Sequence, residues 1–158
     1  MEALNRMKPY RFFAVVALVL LAAPSLFAAD FGIRAGRFDD AETEFLGAEV
    51  VIDLGPVNLN PNVEYFLEDD ITAGTANLDF TLDVGRFARV QPYLGAGIGL
   101  LYVDDDFFGT ETDLIGNAIG GVVFNLDVIK PYAQLKYFRV LEEDTEGDDI
   151  SLAVGVRF

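Results

Sequence analysis

Three side chains that do most of the reactive chemistry in proteins are missing or nearly so. There is no cysteine and no histidine, and serine occurs only as Ser25 and Ser151. The absence of cysteine excludes a disulfide framework, a thiolate metal site and a lipidated cysteine. Without histidine, the commonest general base and metal ligand at neutral pH is gone. A hydrolase, acyltransferase or protease built on a histidine-assisted nucleophile therefore cannot be assembled. No enzymatic activity and no cofactor are expected. Tryptophan is also absent. Basic residues are scarce: eleven Lys and Arg face 26 Asp and Glu, for a formal net charge of −15. Such a chain cannot present a strong phosphate-binding surface, so nucleic acid is not an expected partner.

What is abundant sits awkwardly with that charge. Hydrophobic residues make up 52 % of the 158, so apolar and acidic residues must be segregated. The first segment, "MEALNRMKPYRFF", carries Arg6, Lys8 and Arg11, and is followed by "AVVALVLLAA" and "PSLFAAD". A basic start, a short apolar run and a small-residue exit are the layout of an export signal. The apolar run is below the ~20 residues a spanning helix needs, which weighs against the other reading, a short membrane anchor. Residues 1–29 are expected to be a cleaved signal peptide, with cleavage after Ala28 or Ala29 and a single domain over 30–158.

From residue 30 onward no sustained helical period occurs. Period-two segments recur instead, at 31–38, 43–53, 57–68, 75–85, 90–103, 113–125, 130–141 and 150–158. The clearest is 75–85: Ala76, Leu78, Phe80, Leu82 and Val84 alternate with Thr75, Asn77, Asp79, Thr81 and Asp83. A soluble sheet with one wet face explains any one such strand, and a soluble periplasmic ligand-binding barrel is the corresponding alternative fold. For the set, three features favour a membrane. The segments reach the ~9–11 residues of a tilted membrane strand rather than the ~5–6 of a soluble one. Tight connections (54–56, 86–89, 126–129) alternate with longer ones (39–42, 69–74, 104–112, 142–149). The longer set holds most of the acids, and the tight set carries Arg86, Arg89 and Lys130 at its edges. Open sheet edges are intolerable in lipid, so the sheet must close, 31–38 against 150–158. The expected fold is all-β: an eight-stranded antiparallel up-and-down transmembrane β-barrel.

The signal segment, the glycine-bearing "PYLGAGIGLLYV" (92–103), "PYAQLKYF" (131–138) and the closing "LAVGVRF" together resemble the small eight-stranded outer-membrane barrels, the OmpA/OmpX-like family, over the whole exported chain. The resemblance implies residence in the outer membrane of a Gram-negative (diderm) bacterium, among lipid and lipopolysaccharide. It also implies that Leu152, Val154, Val156 and Phe158 form the signal read by the outer-membrane assembly machinery. The fold transfers better than any one function.

Parity then assigns the side chains. With tryptophan absent, Phe31, Phe124 and Phe158 are expected to form the periplasmic girdle and Tyr65, Tyr102 and Tyr137 the outer one. The lumen is expected to hold Arg34, Glu49, Asp53, Glu64, Asp79, Asp83, Gln134, Lys136 and Arg157. A barrel this small is filled by side chains, so these charges must pair into a salt-bridged plug. Five acids against three bases imply that one acid is neutral or holds a cation. A polar conduit is the competing reading, with the face of Gly95, Gly97 and Gly99 leaving space for a narrow pore for ions or small solutes. Arg37 and Arg139 are candidate contacts for lipopolysaccharide phosphates, or cations that merely snorkel. Asp104, Asp105 and Asp106 are a candidate weak Ca²⁺ or Mg²⁺ site. A monomer is expected.

Overall fold

The computed structural model describes residues 29–68, 71–105, 109–141 and 147–158. The expected signal segment and Asp106 lie outside them. Eight strands follow in chain order: β1 (Ala29–Phe38), β2 (Glu44–Asp53), β3 (Val57–Phe66), β4 (Ile71–Asp83), β5 (Val90–Asp105), β6 (Gly109–Phe124), β7 (Lys130–Val140) and β8 (Asp148–Arg157). Each pairs antiparallel with the next, and β8 pairs with β1, closing the barrel. Closure runs to the final residue. The Phe158 N–H donates to the Phe31 carbonyl at 2.8 Å, and the Phe31 N–H donates back at 3.3 Å. Every strand thereby has two neighbours, the condition that a backbone in hydrocarbon imposes.

Strand bounds depart from the periodicity at the rim. The β5–β6 hairpin continues past the apolar belt, pairing Asp104 with Thr110 and Asp105 with Gly109. The Thr110 hydroxyl donates to the Asp104 carboxylate at 2.9 Å. At this rim both faces carry polar residues, so the apolar alternation that reveals a strand disappears while the pairing goes on. β4 likewise begins ahead of its alternation, at Ile71 and not at Thr75.

Polarity is inverted relative to a soluble fold. The outward residues Ile33, Leu94, Leu152 and Val154 are 57–60 % exposed, whereas the inward Glu64 and Asp79 are 1 % exposed. On the outer wall, Val50 and Ile52 are sheltered by Ala29, Leu59 and Val63. Tyr65, Gly74 and Tyr102 share one cross-strand row. Within it, Tyr65 is presented and Tyr102 is covered, at 43 % and 5 % exposure. A presented outer aromatic row therefore has Tyr65 and Tyr137, without Tyr102.

The inner wall follows a different rule. Large inward side chains stand directly opposite glycines on the neighbouring strand: Glu49 across from Gly32, Phe45 from Gly36, Asp79 from Gly97, Asn77 from Gly99, Tyr93 from Gly121 and Tyr132 from Gly155. A methyl group added at Gly32 would come within 2.6 Å of the Glu49 carboxylate, and one at Gly155 within 2.6 Å of the Tyr132 ring. Eight strands enclose too little volume for two large residues at one level, so a large–small pairing lets each side chain cross the bore.

Candidate functional site: the layered lumen

Inward parity on adjacent strands delivers the charges to one depth. Arg34 of β1 forms an ion pair with Glu64 of β3 at 2.7 Å and lies 3.8 Å from Glu49 of β2. Arg157 of β8 holds the other side of Glu49, Nε to Oε1 at 2.7 Å. Lys136 of β7 sits 3.4 Å from both Glu64 and Asp79. The six form one alternating chain: Arg157, Glu49, Arg34, Glu64, Lys136, Asp79. Amides and hydroxyls occupy the remaining lone pairs. Asn60 donates to Glu49 at 2.8 Å, Asn62 to Asp79 at 2.7 Å, and Thr75 to Glu64 at 2.7 Å. Asn117 bridges Asn77 and Asp79 at 3.0 and 3.1 Å, and Arg34 also donates to Asn62. A buried ion is costly unless both its charge and its hydrogen bonds are met, and this network meets both for the carboxylates.

Two of the expected lumen acids stand apart. Asp53 and Asp83 end their strands and are exposed at the mouth where the tight turns lie. The Asp53 carboxylate accepts the Gly55 N–H at 2.7 Å, and neither acid joins an ion pair among the described residues. They line a cavity of about 400 Å³ with Asp30, Arg86, Gln91 and Lys130 among others. The buried network is therefore three acids with three bases. The other two expected acids, Asp53 and Asp83, lie outside it at the open mouth.

The glycine face is crossed by its neighbours. Side chains of Thr81, Asp79 and Asn77 occupy the space over Gly95, Gly97 and Gly99. These glycines admit the polar network.

Aromatic layers flank the charges. Toward the mouth with the tight turns, the Arg157 guanidinium stacks 4.4 Å from the Tyr132 ring centre and 5.6 Å from that of Tyr93. The Tyr93 hydroxyl donates to Gln134 at 2.9 Å. Toward the other end, Phe38 packs on Phe45, Phe66 and Phe138 with ring centres 5.1, 4.9 and 5.5 Å apart. Sequence reasoning missed this cluster, although Phe38 shares the row of Arg34. Above it, the buried Asp149 carboxylate accepts the backbone N–H groups of Asp39, Asp40 and Ala41 at 3.2, 2.9 and 3.1 Å. That ties the first acidic loop to β8.

The remaining candidates are placed as follows. Arg37 pairs with Leu152 and Arg139 with Asp148, on opposite sides of β8. Arg37 lies 3.8 Å from Glu42. The Tyr137 hydroxyl donates to Asp148 at 3.1 Å. Among the described residues no group of three or more acidic side chains could hold a metal ion. Asp104 is engaged by Thr110.

A closed eight-stranded meander with apolar side chains outside and paired charges inside is the fold of the small outer-membrane β-barrels. Among solved structures the chain is similar to Neisserial surface protein A, with a TM-score of 0.67 at 14 % identity, covering 82 % of this chain and 94 % of that one. It is equally similar to the N-terminal β-barrel domain of Pseudomonas aeruginosa OprF, with a TM-score of 0.67 at 18 % identity and coverage of 82 % and 96 %. In sequence it matches no protein-family profile and no curated protein.

Proposed function

We propose that this chain is a non-enzymatic outer-membrane barrel of a Gram-negative bacterium, with an envelope-structural or surface-interaction role and a lumen plugged by its own side chains. The observation that carries this reading is the neutral six-charge chain, in which Glu49, Glu64 and Asp79 are each paired with a base across the bore. Residues 1–29 act as the export signal in this reading. The end of the barrel that carries the first acidic loop, 39–42, faces outward, and lipopolysaccharide phosphates meet Arg37 and Arg139 at the rim. Those two residues lie four positions apart along β8, about 13 Å at strand rise, which suits two separate phosphates rather than one. Asp104 and its neighbours are a place for weak Ca²⁺ or Mg²⁺ binding. The row Leu152, Val154, Val156 and Phe158 serves recognition by the assembly machinery, so deleting Phe158 impairs assembly more than it destabilises the finished barrel.

Membrane fractionation with protease shaving tests the reading. The chain is expected in the outer-membrane fraction, heat-modifiable on detergent gels, and cut in its acidic loops from outside intact cells. Recovery as a soluble periplasmic protein, or protection of all the acidic loops, would overturn it.

A further inference from the structure

From residue 29 onward the chain has eight Lys and Arg. Arg34, Lys136 and Arg157 serve the lumen, and Arg37 and Arg139 stand at the outer rim. The other three, Arg86, Arg89 and Lys130, surround one hollow of about 270 Å³ between the β4–β5 and β6–β7 turns, with Ala88, Asn125 and Asp127 in its wall. The two turns are locked together: the Asn125 N–H donates to the Arg89 carbonyl at 2.7 Å, and its side chain donates to Gln91 at 3.1 Å. Lys130 is paired with Asp30. Arg86 donates only to the Gln91 amide, at 2.9 Å, and neither Arg86 nor Arg89 forms an ion pair among the described residues. Beside these cations the turns end in apolar tips. Phe87 is 69 % exposed and Val128 81 %.

Apolar tips beside unpaired guanidinium groups match an amphiphile with an anionic head. The position of the turns gives the same answer. Val128 lies four residues past Phe124 through a turn, so its tip is only two or three strand rises, about 7–10 Å, beyond the girdle. The polar layer of a bilayer is about 5–8 Å deep on each side. Resting on the outer-membrane orientation proposed above, we propose that this hollow docks the phosphate of an anionic phospholipid of the inner leaflet. The Arg86 and Arg89 guanidinium groups bind the phosphate oxygens, Phe87 and Val128 lie against the lipid, and Asp127 accepts from a headgroup hydroxyl. A guanidinium presents its donors in a fork that suits phosphate oxygens. Asp30, Asp53, Asp83 and Asp127 stand at the same lip, so the attraction for a headgroup comes from the two guanidinium groups that no carboxylate among the described residues pairs and not from the net charge of the lip.

Native mass spectrometry of the folded barrel in detergent, titrated with phosphatidylglycerol or phosphatidylcholine, tests this. Wild type is expected to retain phosphatidylglycerol at about tenfold lower concentration than phosphatidylcholine, in line with one to two basic residues near an anionic surface. Arg86→Gln combined with Arg89→Gln erases that margin while keeping the heat-modifiable gel shift. Arg37→Gln combined with Arg139→Gln, the same charge change at the other rim, leaves it intact. Equal retention of both lipids by wild type, or equal loss in both double variants, overturns the proposal. Displacement of the lipid by millimolar inorganic phosphate would assign the site to a free anion instead of a lipid. The lipid preference is read in detergent and is independent of orientation. Protease cleavage at turn 86–89 from outside intact cells would therefore sink the orientation without touching the preference.

Discussion

The two faces of the same barrel wall are specified differently. On the outer face, Ile33, Leu94, Leu152 and Val154 are more than half exposed and meet no particular partner, so the requirement is only that they be apolar. On the inner face each large side chain has an assigned place: Glu49 over Gly32, Asp79 over Gly97, Tyr132 over Gly155. Glu49, Glu64 and Asp79 each have an assigned base. The difference teaches that the outer wall is encoded by composition at alternate positions. The inner wall is encoded by pairs, and a pair exists only once the register between strands is set.

That contrast can be broken from either side. The largest effect is expected from Arg34→Met, which leaves Glu64 with Lys136 alone and Glu49 with Arg157 alone. Removing one partner of a buried charge network costs about 3–5 kcal/mol, read as a fall in unfolding free energy by urea titration in vesicles. On the outer wall the comparable loss requires a change of class and not of shape. Val154→Arg, near the middle of the apolar band, is expected to cost about 2–4 kcal/mol, while Val154→Leu stays within about 0.5 kcal/mol in the same assay. A next smaller effect falls on Gly97→Ala. The added methyl meets the Asp79 side chain and the Leu78 carbonyl, and overpacking of this kind costs about 1–3 kcal/mol. A Gly97→Ala variant as stable as wild type would show that the inner wall is not encoded by pairs. The smallest change is a gain. Ala88 sits at φ 55°, a left-handed conformation that glycine adopts freely. Ala88→Gly is expected to raise stability by about 0.5–1 kcal/mol.

Sequence legibility divides along the same line. The alternation in 75–85 marks the outward row of β4 without any knowledge of its neighbours, because Leu78, Phe80 and Leu82 differ in kind from Asn77, Asp79 and Thr81. Arg34, Glu49, Glu64, Asp79, Lys136 and Arg157 were legible as inward for the same reason: a charge on the non-lipid face of a barrel strand has only the lumen to enter. Phe38, Phe45, Phe66 and Phe138 were not legible. An apolar residue on the inward row contradicts the composition rule, and what admits Phe45 is Gly36 across the strand pair, a fact of register. The fates of Asp53 and Asp83 turned on where the strands stop. Alternation cannot locate that point, because a strand end and an open mouth look alike in polarity. The pairing of Arg157 with Glu49 joins residues 108 positions apart across the β8–β1 seam, so it depends on closure and on nothing local.

In the function proposed above, these paired charges, capped by the phenylalanine cluster, close the bore. Planar-bilayer recording of the wild-type barrel at neutral pH tests it most directly. The membrane is expected to stay silent after insertion; sustained unitary conductance steps from the folded wild-type chain would overturn the proposed closure.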